Sequence, residues 1–269
     1  MDTSTTPMPT SVRLEVRGRV AHIVLADPAR RNALTVTMLQ ALCAAIAGVE
    51  ADREVDALVL SGEGPSFCSG FDLAACVDEP RAVEALLRGL AACLVGLRAL
   101  DIPVVARVQG AALAGGCALL TPCDFVVVAR DAQLGYPTHR IGISPAISAP
   151  TLLSRMGPAM RALLLSNEIL YGELAHTQGL ATHCVDAADL DREVDTLVAR
   201  LLDKGPLAMR ATKRWMRTIE ERGAGDLGSS APRNVALMST VRDASVALAS
   251  GEEFERMLQT FWSTRQRTP

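Results

Sequence analysis

The chain has 269 residues, a formal net charge of −3, 49% hydrophobic residues and 21% charged ones. That length buries a sizeable core in one large domain, or one domain with an appendage, which leaves no place for a disulfide-stapled miniprotein or a short binding module. The apolar content is too high and the net charge too small for disorder, and the lack of a Lys/Arg block argues against nonspecific nucleic-acid binding, which needs a strong positive field.

The first eleven residues lack the basic and apolar regions of a secretory signal and read as a flexible tail. Residues 12–26 read as two short strands turned by Gly18. From Asn32 to Val49 the apolar positions Leu39, Leu42, Ile46 and Val49 recur at helical spacing. A buried strand, Ala57–Leu60, then leads into the glycine-punctuated loop Gly62–Leu73, and residues 81–100 are again helical in period. A β-branched strand, Ile102–Val108, opens a second unit in which Gly110–Leu120 forms a glycine-rich turn into an apolar helix. A third strand, Phe125–Ala129, precedes a loop around Gly135–Pro137 and helix-like stretches at residues 149–156 and 160–165. Strands alternating with helices define an α/β class. Beyond Pro206 the strands stop, and residues 207–221, 235–249 and 252–262 read as helices, with Gly223–Ser230 as the plausible hinge. The expected division is a tail at 1–11, a core at 12–205 and a helical segment at 206–269.

Seven cysteines lie mostly in apolar stretches without a Cys-x-x-Cys pair and read as reduced, buried thiols of a cytoplasmic protein. Cys68 and Cys117 are read as small core residues rather than nucleophiles. The histidines show no metal-ligand spacing, so no metal is expected, and no apolar run of about 18 residues offers a membrane span.

Two loops, SFCSGFDL and QGAALAGGCALL, share a design: glycine lets the backbone approach a ligand, and a helix then opens with free N–H groups. Neither is a dinucleotide or phosphate-loop fingerprint. Together with DPARRNAL, PVVARVQGAALAGGCALLTPCDF, AQLGYPTHRIGISP and ELAHTQGLATHCV, they resemble, in order and spacing, the signature blocks of the enoyl-CoA hydratase/isomerase, or crotonase, family. The resemblance implies a spiral of repeated ββα units with a helical C-terminal trimerisation segment, assembled as a homotrimer or dimer of trimers. It also implies a bound acyl-CoA or enoyl-CoA, with CoA as part of the substrate and no separate cofactor. Carried onto this chain, the thioester oxygen meets the backbone N–H groups of Phe71 and Gly115. Arg30, Arg31 and Ala33, with Ser69, Gly70, Asp72 and Leu73, match the lining for the CoA arm, and Tyr136 is placed on the acyl pocket.

The departures from the family pattern bear on the reaction. The hydratase glutamates fall at Ala118 and Thr138, neither of which titrates near neutrality, and the aspartate that some relatives carry further along falls at Ala146. His139 is the right residue type for a base, but on an extended strand it would point away from the side taken by Thr138. An enzyme with a non-standard acid/base set and a CoA-thioester-binding protein without chemistry both fit these residues. A serine or cysteine hydrolase does not, since no G-x-S-x-G elbow is present.

Overall fold

The structure is a computed structural model, in which residues 11–74, 82–222, 240, 243, 245–249 and 251–265 are described. The expected tail at 1–11 and hinge at 223–230 fall outside these residues, Ser11 excepted, as does most of the expected helix at 235–249. The chain forms two compact units, Met1–Val198 and Ala199–Pro269.

The first unit carries strands β1 (Val12–Arg17), β2 (Val20–Leu25), β3 (Ala57–Gly62), β4 (Val104–Val108), β5 (Ala111–Leu113), β6 (Phe125–Ala129), β7 (Gln133–Gly135), β8 (Ile169–Tyr171) and β9 (His183–Val185). β1 and β2 are an antiparallel hairpin with Val12 opposite Leu25 and Arg17 opposite Val20, and Gly18 supplies the positive φ of its turn. From β2 onward the main sheet is parallel, in the order β1-β2-β3-β4-β6-β9. Its central strands ALVLSG, VVARV and FVVVA are buried almost throughout, as parallel strands covered on both faces must be. A smaller sheet, β5-β7-β8, pairs β5 with β7 in parallel and β7 with β8 antiparallel. Its strands are three residues long, as is β9, too short to leave a periodic trace, and they went unread in the sequence.

Helix α1 (Val36–Ala51) packs against α2 (Ala82–Ala99): the Cys43 and Cys93 thiols are 3.2 Å apart, and a Cβ on Gly89 would come within 3.1 Å of Leu39. α1 starts four residues later than its apolar period suggested. Thr35 is its N-cap, accepting a hydrogen bond from the Met38 N–H at 3.0 Å, and Asn32 sits before it at φ +54° in a turn. α3 (Gly115–Leu120) follows β5, and α4 (Ala149–Met156), α5 (Met160–Ser166) and α6 (Gly172–Thr177) follow in turn. α7 (Leu190–Leu202) crosses the boundary between the units.

In the second unit, α8 (Pro206–Arg222) and α9 (Glu252–Arg265) match the expected helices to within a few residues. The Glu253 carboxylate accepts from the Leu207 and Ala208 N–H groups at 2.9 and 3.0 Å, so a side chain of α9 caps the first turn of α8.

Candidate active site

The two glycine loops meet at one place. Asn32 is fully buried, and its amide nitrogen lies 2.9 Å from the Glu63 and Ser66 carbonyls and 3.1 Å from that of Phe67, while its oxygen accepts from the Asp27 N–H at 2.8 Å. One side chain thus ties the turn before α1 to the loop after β3. The Leu34 N–H donates to the Gly70 carbonyl at 2.7 Å and the Asp72 N–H to Leu34 at 3.0 Å, which lays Gly70–Asp72 beside Leu34. On the other flank Cys68 bridges to Ala112, with Cys68 N–H to Ala111 at 2.9 Å and Leu113 N–H to Cys68 at 3.0 Å. Gly70 has φ +102°, a conformation closed to most L side chains, and a Cβ there would stand 3.1 Å from the Leu113 oxygen and 3.8 Å from the Gly115 nitrogen.

Ala114, at φ 49° and ψ −112°, turns the chain from β5 into α3 in a conformation few residues other than glycine adopt. The first N–H groups of any helix have no intrahelical acceptor. Here neither the Gly115 N–H nor the Phe71 N–H has a hydrogen-bond partner among the described residues.

Both loops open on a cavity of about 290 Å³. Ser69, Phe71 and Leu73 border it from the first loop, Leu113, Ala114, Gly115 and Ala118 from the second, and Leu87 and Leu90 from α2. The rest of the wall is the segment from Tyr136 to Ser148. Hydrocarbon and hydroxyls make up most of this surface; among the described residues it includes no Asp or Glu, and its one charged side chain is Arg140. Tyr136 is 1% exposed and Thr138 8%; the Tyr136 hydroxyl lies beside the Cys117 thiol and the Ser148 hydroxyl, whereas Thr138 Oγ1 has no partner among the described residues. Burial above all, with the Cys117 thiol beside it, holds the Tyr136 phenol well above its ordinary range, so it stays protonated at neutral pH. The thiols of Cys68 and Cys117 are each pushed up to about 12 by burial, which leaves them without the thiolate a nucleophile needs. Cys43 and Cys184 are only half-buried, unlike the fully buried thiols expected.

Of the residues singled out in the sequence, Ser69, Phe71, Leu73, Gly115, Ala118, Tyr136 and Thr138 border the cavity. Arg30, Arg31, Ala33, Gly70, Asp72, His139 and Ala146 do not. Arg30 is ion-paired with Asp27 at 2.6 Å and Asp72 at 3.2 Å, and Asp72 also accepts from the Ala74 N–H at 3.3 Å. Ala146 is exposed, while its neighbours Pro145 and Ile147 face the cavity. Thr138 and His139 do part, one buried and one exposed, but not by strand alternation: Thr138 has helical dihedrals and leads into a 3₁₀ turn, His139–Ile141. Sequence reasoning missed Arg140, Ile143, Ser144, Ile147 and Ser148 on the wall; the apolar alternation of Ile141, Ile143 and Ile147 was the available signal. Among the described residues no cluster of His, Cys, Asp and Glu could hold a metal ion, and no helix is long and apolar enough to cross a membrane.

A parallel-sheet core with two glycine loops converging on an apolar cavity is an architecture shared with proteins of known structure. The sequence profile described as enoyl-CoA hydratase/isomerase matches residues 15–233, and the chain belongs to that family, the crotonases. It is 33% identical over 208 residues to the crotonyl-CoA hydratase of Syntrophomonas wolfei, covering 76% of this chain and 80% of the relative. It is 30% identical to the short-chain-enoyl-CoA hydratase of Clostridium acetobutylicum, with 76% and 80% covered. The solved structure of Pseudomonas aeruginosa AtuE superposes with a TM-score of 0.82 at 30% identity, over 96% of this chain and 98% of that one.

Proposed function

We propose that this protein binds an acyl-CoA or enoyl-CoA thioester and stabilises its enolate between the N–H groups of Phe71 and Gly115. The observation that carries the reading is that these two N–H groups lack partners among the described residues, on loops packed against each other at the edge of an apolar cavity. The hydratases of S. wolfei and C. acetobutylicum, named for crotonyl-CoA and short-chain enoyl-CoA, support the substrate class. A thioester α-proton is only weakly acidic, so the charge of the enolate must be met where it forms, and each such donor is worth about 3 kcal/mol in the transition state. Ser69, Gly70, Asp72 and Leu73, with Arg30, Arg31 and Ala33, hold the CoA arm in this reading, and no cofactor besides CoA is invoked. Self-association as a trimer or hexamer and a cytoplasmic location belong to the same reading. Exposed Leu207, Met216, Val246, Phe254 and Leu258 in the second unit favour the former.

A second reading is favoured by the wall itself. With Ala118 and Thr138 at the positions that the resemblance gives to the family glutamates, none of the described lining residues is a carboxylate base for water. The reaction is then something other than hydration, or the protein binds the thioester without turning it over. Thermal denaturation with acetyl-CoA, crotonyl-CoA and longer-chain thioesters tests the ligand class: saturation at about 100 times the dissociation constant adds about 2.7 kcal/mol. No shift with any thioester overturns the assignment. Loss of the crotonyl-CoA enone absorbance, followed at the same concentrations, separates the two readings.

A further inference from the structure

We infer that the acyl group taken by this cavity carries a carboxylate, paired by Arg140 and hydrogen-bonded by Thr138; the inference rests on the acyl-CoA reading above. A cavity meant for a plain hydrocarbon chain gains nothing from buried hydroxyls without partners, since each one costs about what a lost hydrogen bond does. Yet Thr138 Oγ1 is buried and has no hydrogen-bond partner among the described residues, on a side chain that lines this space. A hydroxyl can donate as well as accept.

Arg140, two residues from Thr138, borders the same cavity and makes no ion pair with a described residue. A guanidinium offers only donors, stays charged at every accessible pH, and matches a carboxylate two bonds at a time. The chemical complement of one guanidinium and one unpaired hydroxyl is a small group of acceptor oxygens with negative charge. Ala118 and Thr138 fit the same conclusion. Glutamates at those two positions would stand against a second carboxylate and repel it, whereas with alanine and threonine there no carboxylate is found among the described lining residues. Arg140 is exposed, so it remains solvated while the cavity is empty and costs the free protein little.

The test is calorimetric titration of the full chain with matched thioesters: malonyl-CoA against isovaleryl-CoA, and succinyl-CoA against isocaproyl-CoA. In each pair an isopropyl end copies the shape of the carboxylate without its charge. The expected result is that the carboxylate member of at least one pair binds about tenfold tighter or more. Arg140→Met, an exposed substitution that leaves the core untouched, should bring that preference to within about threefold and leave the neutral members unchanged. Equal or tighter binding of the neutral member in both pairs overturns the inference. So does an equal loss for charged and neutral thioesters in Arg140→Met, which would assign the guanidinium to the phosphates of CoA. If no thioester of either kind binds, the acyl-CoA reading fails, and that result is distinct from either of the others.

Discussion

One side of the cavity is made of backbone and the other of side chains. On the first, Gly70–Phe71 and Ala114–Gly116 are held by carbonyl and N–H pairs, by the Asn32 amide bonded to the same loop as Gly70, and by close backbone approach at Gly70 and Gly116. The groups it offers to a ligand are N–H groups, which no side-chain substitution can remove while the loops keep their course. On the second, Ala118, Tyr136, Thr138 and Arg140 offer whatever their side chains carry, so exchanging one alters the chemistry of the wall. A family can therefore keep the backbone half and vary the side chains of the other, which is why family membership fixes the fold more firmly than the activity.

The largest effect should come from rewriting the side-chain half. Ala118→Glu with Thr138→Glu is expected to raise crotonyl-CoA hydration about 10²- to 10⁴-fold over the parent protein. Either change alone should do less, because both groups act on one water. A double variant that still binds thioesters but hydrates no faster would show that the two halves are not set at hydratase geometry. On the backbone half the effect is on stability instead. A Cβ at Gly116 would stand 2.3 Å from the Cys68 carbonyl oxygen, with backbone rather than a flexible side chain in the way. Gly116→Ala should cost about 3 kcal/mol in urea unfolding. Asn32→Ala, which removes the two amide N–H donors shared among three carbonyls and the acceptor of one N–H, should cost about 2 kcal/mol and weaken thioester binding with it. If Asn32→Ala were as stable as the parent, the loop contact would be held by the ladder around Leu34 and Cys68 alone.

The same division governs what could be read from the sequence. Gly70 and Gly116 mark the backbone half because only glycine tolerates such a φ or so close a backbone contact, so residue type alone points to geometry. The parallel strands β3, β4 and β6 were legible as β-branched apolar runs. Asn32 was not, since its role depends on carbonyls more than thirty residues away, and in the sequence it sits beside an apolar period that invites a helix. Arg140 and Ser148 were missed for a related reason. The segment from Tyr136 to Ser148 is a run of turns, whose residues face the cavity according to dihedral angles that no short periodicity encodes.

The smallest effect expected has the opposite sign to that of Asn32→Ala, and it probes the side-chain half without a ligand. Thr138 is buried, and its hydroxyl lacks a partner, so in the empty protein that group loses its hydration and gains nothing in return. Thr138→Val keeps the branched shape and removes the unpaired oxygen. The free protein should become more stable by about 1 kcal/mol, a rise of roughly 2 °C in Tm for a chain of this size. Carboxylate-bearing thioesters should at the same time bind more weakly, since the hydroxyl they would use is gone. Stabilisation together with weaker binding is the signature of a group kept for a ligand at the expense of the fold. A loss of stability in Thr138→Val would instead mean that the hydroxyl is satisfied within the folded protein, for instance through a held water, and would move Thr138 from the ligand-facing half of the site to its scaffold.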